Sequence, residues 1–426
     1  MKTADSPSAS RRGSTYVLVL GLSAIIMTLA LGAMALARLQ ARQGRGTADV
    51  AHARLCAHAA LEFGRHLIKN DTAWREHYTN GMWGTDVPAG RGTASPQVID
   101  PGDGDLADDD LEPVVLTGTG KRGLAVQKMR VTLLADAKGL GCLQTALHVG
   151  HDLKLKTCTV QCDQTLSANH DIIASGAFVY AAAEAVHALS GGTYHGTTTV
   201  GVDERSMPDA SEVFAAYASR GVAIPYWAIP WDNGVRLMDE VIFSPGHNPF
   251  WPYTTSPNGV YVIDCQGQDI CIRDCRIVGT LVLLNAGDGT CIDQAVHWKP
   301  AVENYPALLV DGKLAFREDG SALDEDMENE NFNPAHTPYE GQSDSDQLDQ
   351  YPSRIEGLIY IRDNASVESG IVTVCGTIVV GHDLTVEPYT LLHLEYEPEF
   401  LNNPPPGFIE RIDMKVAEGS YQRVVD

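Results

Sequence analysis

The feature that most constrains this chain is an apolar run without a single charge, from Thr15 to Ala37. Four arginines bracket it, namely Arg11, Arg12, Arg38 and Arg42. At a rise of about 1.5 Å per residue, a helix of this length crosses the roughly 30 Å hydrocarbon layer of a bilayer. A cleaved secretory signal has a shorter apolar region, of about 7 to 15 residues. The run therefore predicts an uncleaved transmembrane helix over 15–37, with the lipid bilayer as its partner.

The residues from Arg11 to Leu20, RRGSTYVLVL, resemble the N-terminus of PilX-type pilus biogenesis proteins and related minor pilins. In that family a short basic leader ends in Gly before a hydrophobic helix. The resemblance covers about the first 60 residues. One departure is that Leu18 would be the fifth mature residue, where major pilins carry Glu.

The resemblance implies that residues 1–14 are a basic cytoplasmic leader and that Gly13 and Ser14 flank a processing site. It also implies a single-pass protein of the inner (cytoplasmic) membrane whose large C-terminal part is extracytoplasmic. The expected partners are other pilin-like or secretion-system subunits. Charge alone leaves the orientation open, because arginines flank the run on both sides.

Strong helix formers continue after the run and predict a juxtamembrane helix over 38–80. Gly44 and Gly46 suggest a break between this helix and the transmembrane helix.

Composition excludes several other classes of protein. A net charge of −24 argues against a nucleic-acid partner, because phosphates are bound by clustered Lys and Arg. The 40 glycines and 22 prolines with 7% aromatic residues favour a loop-rich β body. The nine cysteines are expected mainly as small buried residues, with one or two disulfides or a metal site as alternatives.

Two segments are acidic. The first, 81–113, reads as a Gly/Pro-rich surface loop and carries five carboxylates between Asp103 and Asp110. Such a set could hold calcium, but it does not complete the EF-hand pattern, so a solvated loop is favoured. The second segment, 318–352, has few apolar residues and is predicted to be an exposed, mobile insertion.

Beyond about Val114, short β-branched runs punctuated by Gly, Asn and Asp indicate strands. The segment 357–367 aligns with 376–386 at a separation of 19 residues, and the string VGHDL occurs at both 149–153 and 380–384. Repeats of about 20 residues indicate stacked coils. This spacing predicts a mainly β body.

The segment 270–285 resembles coils of right-handed parallel β-helix proteins, a solenoid fold, and a β-sandwich is the alternative. The coils are expected over 114–204, 257–317 and 353–396, followed by a C-terminal tail, 397–426. Eight side chains should point inward, namely Ile270, Ile272, Cys275, Ile277, Leu281, Leu283, Ile378 and Val380.

Residues 205–256 interrupt the coils with an insertion that contains a short helix, for which Asp209 is the expected N-cap. The insertion is rich in proline and aromatic residues. Trp227, Trp231 and Trp251 form a candidate binding site for carbohydrate or protein, with packing of the loop as the alternative use.

A β-helix lyase or glycoside hydrolase would need carboxylates or an Arg base gathered on one face of the coils. The candidates are Asp264, Asp269, Arg273, Asp274 and Arg276. The aspartates read more simply as turn residues, so no catalytic residue, metal or cofactor is predicted. The sequence thus predicts a non-catalytic structural or assembly component of a type IV pilus or type II secretion-like system. A membrane-anchored carbohydrate-binding or carbohydrate-active β-helix protein is the alternative.

Overall fold

The computed structural model describes residues 12–232 and 234–425, and of residues 12–14 the backbone only. The leader residues 1–11 lie outside the described part. The chain divides into two compact units. The antiparallel unit comprises the residues up to Asp136 and those from Asp413 onward, and the parallel unit comprises Ala137–Ile412.

The antiparallel unit begins with one long helix, α1 (Arg12–Asn70). The predicted break at Gly44 and Gly46 is wrong, because the helix runs through both glycines. A single Gly in a helix costs only about 1 kcal/mol relative to Ala, and strong helix formers lie on either side. The apolar N-terminal helix itself is confirmed.

Short elements and three longer antiparallel strands follow α1. They are α2 (Trp74–His77), β1 (Gly81–Met82), β2 (Val87–Ala89), β3 (Gly92–Ile99), β4 (Val114–Arg122) and β5 (Ala125–Gly139). The predicted loop 81–113 therefore contains three strands. The prediction of coils from residue 114 is also wrong, because β4 pairs antiparallel with both β3 and β5. A tight turn at Gly123, with φ of 56°, reverses the chain and makes a hairpin.

The second half of α1 packs on this sheet through small residues. Ala53, Ala57 and Ala60 on the helix are fully buried. A Cβ atom added at Gly118 or Gly120 of β4 would overlap the backbone of α1. Glycine is thus required at these two positions for the helix to approach the sheet.

The first part of the parallel unit contains short strands and one helix of 11 residues. They are β6 (Leu147–Val149), β7 (Leu153–Lys156), β8 (Thr159–Ala168), β9 (Asp171–Ser175), β10 (Phe178–Ala185), β11 (Ala188–Ser190), β12 (Thr193–Tyr194), β13 (Thr198–Val200), α3 (Ala210–Arg220), β14 (Val222–Ala223), β15 (Trp231–Asp232), β16 (Val235–Asp239) and β17 (Ile242–Phe243). Gly141–Gln144 and Tyr226–Ala228 form 3₁₀ turns.

The second part of the parallel unit contains the remaining strands and two helices of four residues. They are β18 (Val260–Asp264), β19 (Ile270–Val278), β20 (Thr280–Leu284), β21 (Cys291–Lys299), β22 (Leu308–Val310), β23 (Leu314–Glu318), β24 (Leu323–Asp324), α4 (Glu325–Glu328), β25 (Gln350–Tyr351), β26 (Arg354–Ile361), β27 (Ala365–Val367), β28 (Ile371–Val380), β29 (Leu384–Val386), β30 (Leu391–Glu395) and α5 (Glu399–Asn402).

All strands of this unit except β24 and β25, which pair with each other, form one 23-stranded sheet in which nearly all pairs are parallel, unlike the hairpins of a β-sandwich. The 19-residue register is confirmed as strand pairing, since Ile359 pairs with Ile378. The two VGHDL strings also pair with each other, Val149 with Val380 and Leu153 with Leu384.

The order of strands in the sheet differs from their order in the chain. Strand β28 pairs with its predecessor β26 on one side and with the early strand β6 on the other. Strands then follow outward from β6 to β8 and β10. Within this unit the chain therefore begins in the middle of the sheet, proceeds to one end, and later returns to the middle from the other end.

The side chains predicted to point inward are confirmed as parts of one buried core. Ile378 is 2% exposed and Val380 is fully buried. The opposite face of several strands is covered by α3, whose Val213, Phe214 and Tyr217 pack there. Asp209 caps α3 as predicted, because its carboxylate accepts the N–H groups of Ser211 and Glu212.

The acidic segment 318–352 is not merely an exposed insertion as predicted. Leu323, Phe332 and Tyr351 form a small buried cluster. Glu325, also buried, accepts the hydroxyl of Tyr351 and the N–H group of Phe332. Apolar residues too far apart to form a sequence pattern thus converge on a buried carboxylate.

The cysteines follow the expected pattern. Cys271 and Cys291 form a disulfide between β19 and β21. The other seven are thiols, and all of them except Cys162 are buried.

The final residues belong to the sheet of the antiparallel unit. They form β31 (Ile409–Val416) and β32 (Gln422–Val424), and β32 pairs antiparallel with β5. The predicted tail 397–426 is therefore largely structured. Its strands are irregular in burial, and their partner is nearly 300 positions away in the chain, so local patterns do not reveal the pairing.

Candidate functional site

The first half of α1 is a candidate membrane anchor. The helix is long and apolar enough to cross a membrane, and the apolar part is not buried against the protein. Tyr16 is 75% exposed and Leu36 is 61% exposed. An apolar face open on all sides is stable in lipid.

The predicted processing site lies at the beginning of α1. The backbone of Gly13 and Ser14 is helical, and their side chains are outside the described part. No feature of the described residues bears on cleavage there.

The three tryptophans of the candidate binding site are exposed, between 50% and 62%. The rings of Trp227 and Trp251 lie 5.2 Å apart between centroids. Trp231 instead contacts Arg236, whose guanidinium lies 5.2 Å from the ring centroid. We call Trp227, Trp231 and Trp251 the aromatic surface. Exposed flat rings of this kind can stack on a sugar or contact another protein.

A pocket of about 390 Å³ lies near the aromatic surface, among residues of β15, β16 and β19. Asp239 and Arg273 line it together with apolar residues that include Phe250. Arg273 donates two hydrogen bonds of 2.6 Å to the carboxylate of Asp239. This pairing raises the pKa of Arg273, so the guanidinium stays charged and cannot serve as a base.

The other catalytic candidates do not converge. Asp264 accepts the N–H group of Gln266, and Asp269 accepts that of Gly289. Asp274 accepts the N–H group of Ala295, and burial raises the pKa of its carboxyl group to about 7. These are turn and ladder contacts, which favour a structural role.

Arg276 is fully buried and anchors the acidic segment. Its guanidinium donates to the carbonyl oxygens of Phe332, Thr337 and Pro338. Every one of these acceptors belongs to the segment 318–352, so the role of Arg276 is to hold that segment.

A row of histidines in the turns that follow β6, β8 and β10 has no counterpart among the predicted site residues. The rings of His151 and His170 stack at 4.4 Å, and His187 lies 4.6 Å from His170. His151 and His170 pair through Nδ1 with Asp383 at 2.8 Å and Asp152 at 2.7 Å. We call this set the histidine ladder.

The charges of the histidine ladder largely satisfy one another. The hydrogen bond to Asp152 raises the pKa of His170. Burial alone would raise the pKa of Asp383, but hydrogen bonds from Lys154 and His151 outweigh it and lower that pKa to about 2. Although three of these groups could share a metal ion, their donors and acceptors already pair. The signal in the sequence was the His-Asp pair that recurs in the repeats.

Comparison with known proteins yields little similarity. No protein-family model matches the chain, and no curated protein matches it. Among solved structures, the chain is similar to the competence-associated pilin ComZ from Thermus thermophilus, with a TM-score of 0.36 and 11% identity. That match covers 89% of this chain and 98% of the other. The function is therefore inferred from the residues of this chain.

Proposed function

We propose that the chain is a membrane-anchored, non-catalytic subunit of pilin type, with a structural or assembly role in a type IV pilus or type II secretion-like system. The supporting observation is α1. Its first half is apolar and exposed, and its second half packs small residues against an antiparallel sheet. Such a helix anchors a folded body in a bilayer and offers an apolar surface to the helices of other subunits.

We further infer that the parallel sheet winds as a right-handed β-helix outside the cytoplasm. The separation of 19 residues that recurs for β26 with β28 and for β6 with β8 supports this reading, and parallel crossovers are right-handed in about 98% of cases. The dispersed roles of Asp264, Asp269 and Arg276 support a body without catalytic activity.

The N-terminus of the mature protein tests the assignment to the pilin type. In a host with a prepilin peptidase, we expect the chain from the membrane fraction to begin at Ser14. The Gly13→Val variant, which places a larger side chain at the cleavage position, should retain Met1. A wild-type protein that still begins at Met1 would contradict the assignment.

Anchoring is tested by replacing Ile25 and Ile26 together with Arg. Each charge at the centre of a membrane helix costs about 2.5 to 3.5 kcal/mol on insertion scales, so the double variant should leave the membrane fraction. Replacing Gln40 and Gln43 with Arg adds the same charge beyond the apolar run and should leave anchoring intact. Membrane extraction of the Ile25/Ile26 variant identical to wild type would exclude the anchor.

The aromatic surface supports a second candidate, a carbohydrate-binding role. Its supporting observation is the exposed pair of Trp227 and Trp251 beside a polar pocket. Retention on immobilised polysaccharides, compared between wild type and Trp251→Ala, separates the candidates. Tyr389→Ala is a suitable control, because Tyr389 is 91% exposed and lies outside the aromatic surface. If the function is structural, wild type and the two variants should be retained equally.

Glycan cleavage is the enzymatic form of this alternative. Replacing Arg273 with Ala removes the positively charged group that lines the pocket. If the body is non-catalytic, neither wild type nor Arg273→Ala releases sugar from any polysaccharide tested. Cleavage by wild type that is lost in the folded variant would instead support an enzyme.

A further inference from the structure

The loop between β3 and β4 in the antiparallel unit gathers four carboxylates. They belong to Asp100, Asp103, Asp108 and Glu112, and one oxygen of each lies within 4.8 Å of the others. Calcium binds carboxylate oxygens at about 2.3 to 2.6 Å, so oxygens on one ion lie no farther apart than about 5 Å. The four oxygens therefore fit a single shared cation.

Burial of one member of the cluster, Asp100, provides an independent observation. Asp100 is only 3% exposed. Its Oδ2 atom, like Oε2 of Glu112, is shielded from solvent and accepts no hydrogen bond. A buried carboxylate oxygen is costly unless a positive charge or a donor faces it. These two oxygens thus point to a cationic ligand.

The bonds of Asp100 hold its carboxylate in position. Its Oδ1 atom accepts the N–H group of Gly102 at 2.6 Å. Its own N–H group donates to Oδ1 of Asn80 at 2.8 Å. The backbone bonds therefore occupy one oxygen of Asp100 and leave the other for the cluster.

The nearby cation, Arg75, is directed elsewhere. Its buried guanidinium donates to the carbonyl oxygens of Leu106 and Glu112, at 3.2 Å and 2.5 Å. Its ion pair is with Asp110, at 3.9 Å, which is outside the four-carboxylate cluster. Arg75 thus fastens the backbone of the loop, and its hydrogen bonds go to carbonyl oxygens and not to the four carboxylates.

We propose that Asp100, Asp103, Asp108 and Glu112 bind one calcium ion. Four carboxylates supply the hard oxygen ligands that calcium prefers, and an irregular loop suits its flexible geometry better than the octahedral geometry of magnesium. The ion draws the loop together where it leaves β3 and enters β4. This inference is independent of the proposed function. It departs from the solvated loop that the sequence favours, because the burial of Asp100 is a property of the fold.

Calorimetric titration of the full chain in detergent, after removal of divalent ions with a chelator, tests the proposal. Calcium chloride should titrate one site per chain, with a dissociation constant of about 10⁻³ M or below. Asp103→Asn and Glu112→Gln should each weaken binding by about tenfold or more. Asp103 is exposed, so its variant tests the site without disturbing the core.

Asp109→Asn is the matched control. It removes one negative charge from the same loop, and its amide oxygen can still accept the N–H group of Leu111, as Asp109 does. This variant should bind calcium as the wild type does. Loss of affinity equal to that of Glu112→Gln would show diffuse attraction to an acidic loop and overturn the proposal.

Three further outcomes decide the matter. Calcium should raise the melting temperature of the wild type and, at the same concentration, raise that of Glu112→Gln less. The absence of saturable calcium binding by the wild type would overturn the site outright. Binding of magnesium as tight as that of calcium would overturn the assignment of the ion.

Discussion

The antiparallel and parallel units bury similar kinds of residue. They differ in the number of residues that separates two paired positions along the chain. In the parallel unit, Ile359 pairs with Ile378 and Ala365 with Leu384, each at a separation of 19 residues. In the antiparallel unit the separation changes at every pair, as from Thr93 with Lys121 to Ile99 with Val115. A parallel stack therefore leaves a repeat in the sequence, and an antiparallel sheet does not.

The units also differ in what allows a second layer to cover the sheet. The antiparallel sheet accepts α1 because glycines replace side chains at the contact. The parallel sheet accepts α3 through larger apolar residues, such as Phe214 against Tyr360, whose ring centroids are 5.9 Å apart. One contact depends on the absence of side chains, and the other depends on their presence. The antiparallel unit should therefore be destabilised when a side chain is added at the contact, and the parallel unit when apolar packing is lost.

The largest effect is expected from Ile378→Asp in the parallel unit. The side chain lies between Ile359 and Leu147 of the neighbouring strands, so a carboxylate there would be buried without a partner. We expect a loss of more than about 4 kcal/mol in the free energy of unfolding, measured by denaturant titration.

Ile371→Asp is the matched control, because it makes the same substitution on the same strand at a position that is 41% exposed. Ile371→Asp should lower the free energy of unfolding by less than about 1 kcal/mol. Equal losses for the two variants would contradict the inward packing of the repeats.

The antiparallel unit should fail when a side chain is added. Gly120→Val would force a side chain into the backbone of Ala53 and Ala57, and overpacking of this kind costs about 1 to 3 kcal/mol or more. Hydrogen exchange should then become faster in the second half of α1 and in β4. Thr119→Val places the same side chain on the other face of β4 and should leave exchange unchanged. Normal protection of α1 in Gly120→Val would refute the close contact.

The comparison explains which parts of the fold are predictable. The register, the inward side chains and the cap at Asp209 each follow from local spacing or from a repeat, and all three are confirmed. The apolar run of α1 is also a local pattern, and it predicts the membrane anchor. The antiparallel pairing of β4, β5 and β32 was not predicted, because it joins residues without a repeating separation.

The candidate site is less predictable than the fold. Trp227 and Trp251 could be chosen because aromatic residues are scarce, and the structure does bring them together. Arg276 was named only as a candidate for the enzymatic alternative, and its actual contacts could not be predicted, because its acceptors are backbone carbonyls of a distant segment. The burial of Asp100 was missed for a related reason. A loop of aspartates looks solvated until the fold places one of them inside.

A smaller, pH-dependent effect is expected at Glu318, at the end of β23. The residue is fully buried, and burial raises the pKa of its carboxyl group from 4.5 to about 8. Between these values the unfolded chain has released the proton and the folded chain retains it. The contribution of Glu318 to stability therefore falls as pH rises through this window.

Glu318→Gln removes this dependence. Relative to wild type, the variant should gain about 2 kcal/mol or more in the free energy of unfolding between pH 5 and pH 8. Glu418→Gln, at an exposed position of the antiparallel unit, should differ from wild type by the same amount at both pH values. A constant difference for Glu318→Gln as well would show that Glu318 is ionised in the folded protein.

The smallest effect is expected at the cap of α3, which covers the outer face of the parallel sheet. Asp209 accepts the N–H groups of Ser211 and Glu212, and Ala cannot replace these bonds. Asp209→Ala should lower the melting temperature by about 2 °C, whereas Asp209→Asn keeps an acceptor and should lower it less. A decrease in melting temperature as large as that caused by Ile378→Asp would mean that the parallel strands depend on packing against α3 as much as on their buried core. The expected small decrease would instead place the stability of this unit in the repeating contacts between strands.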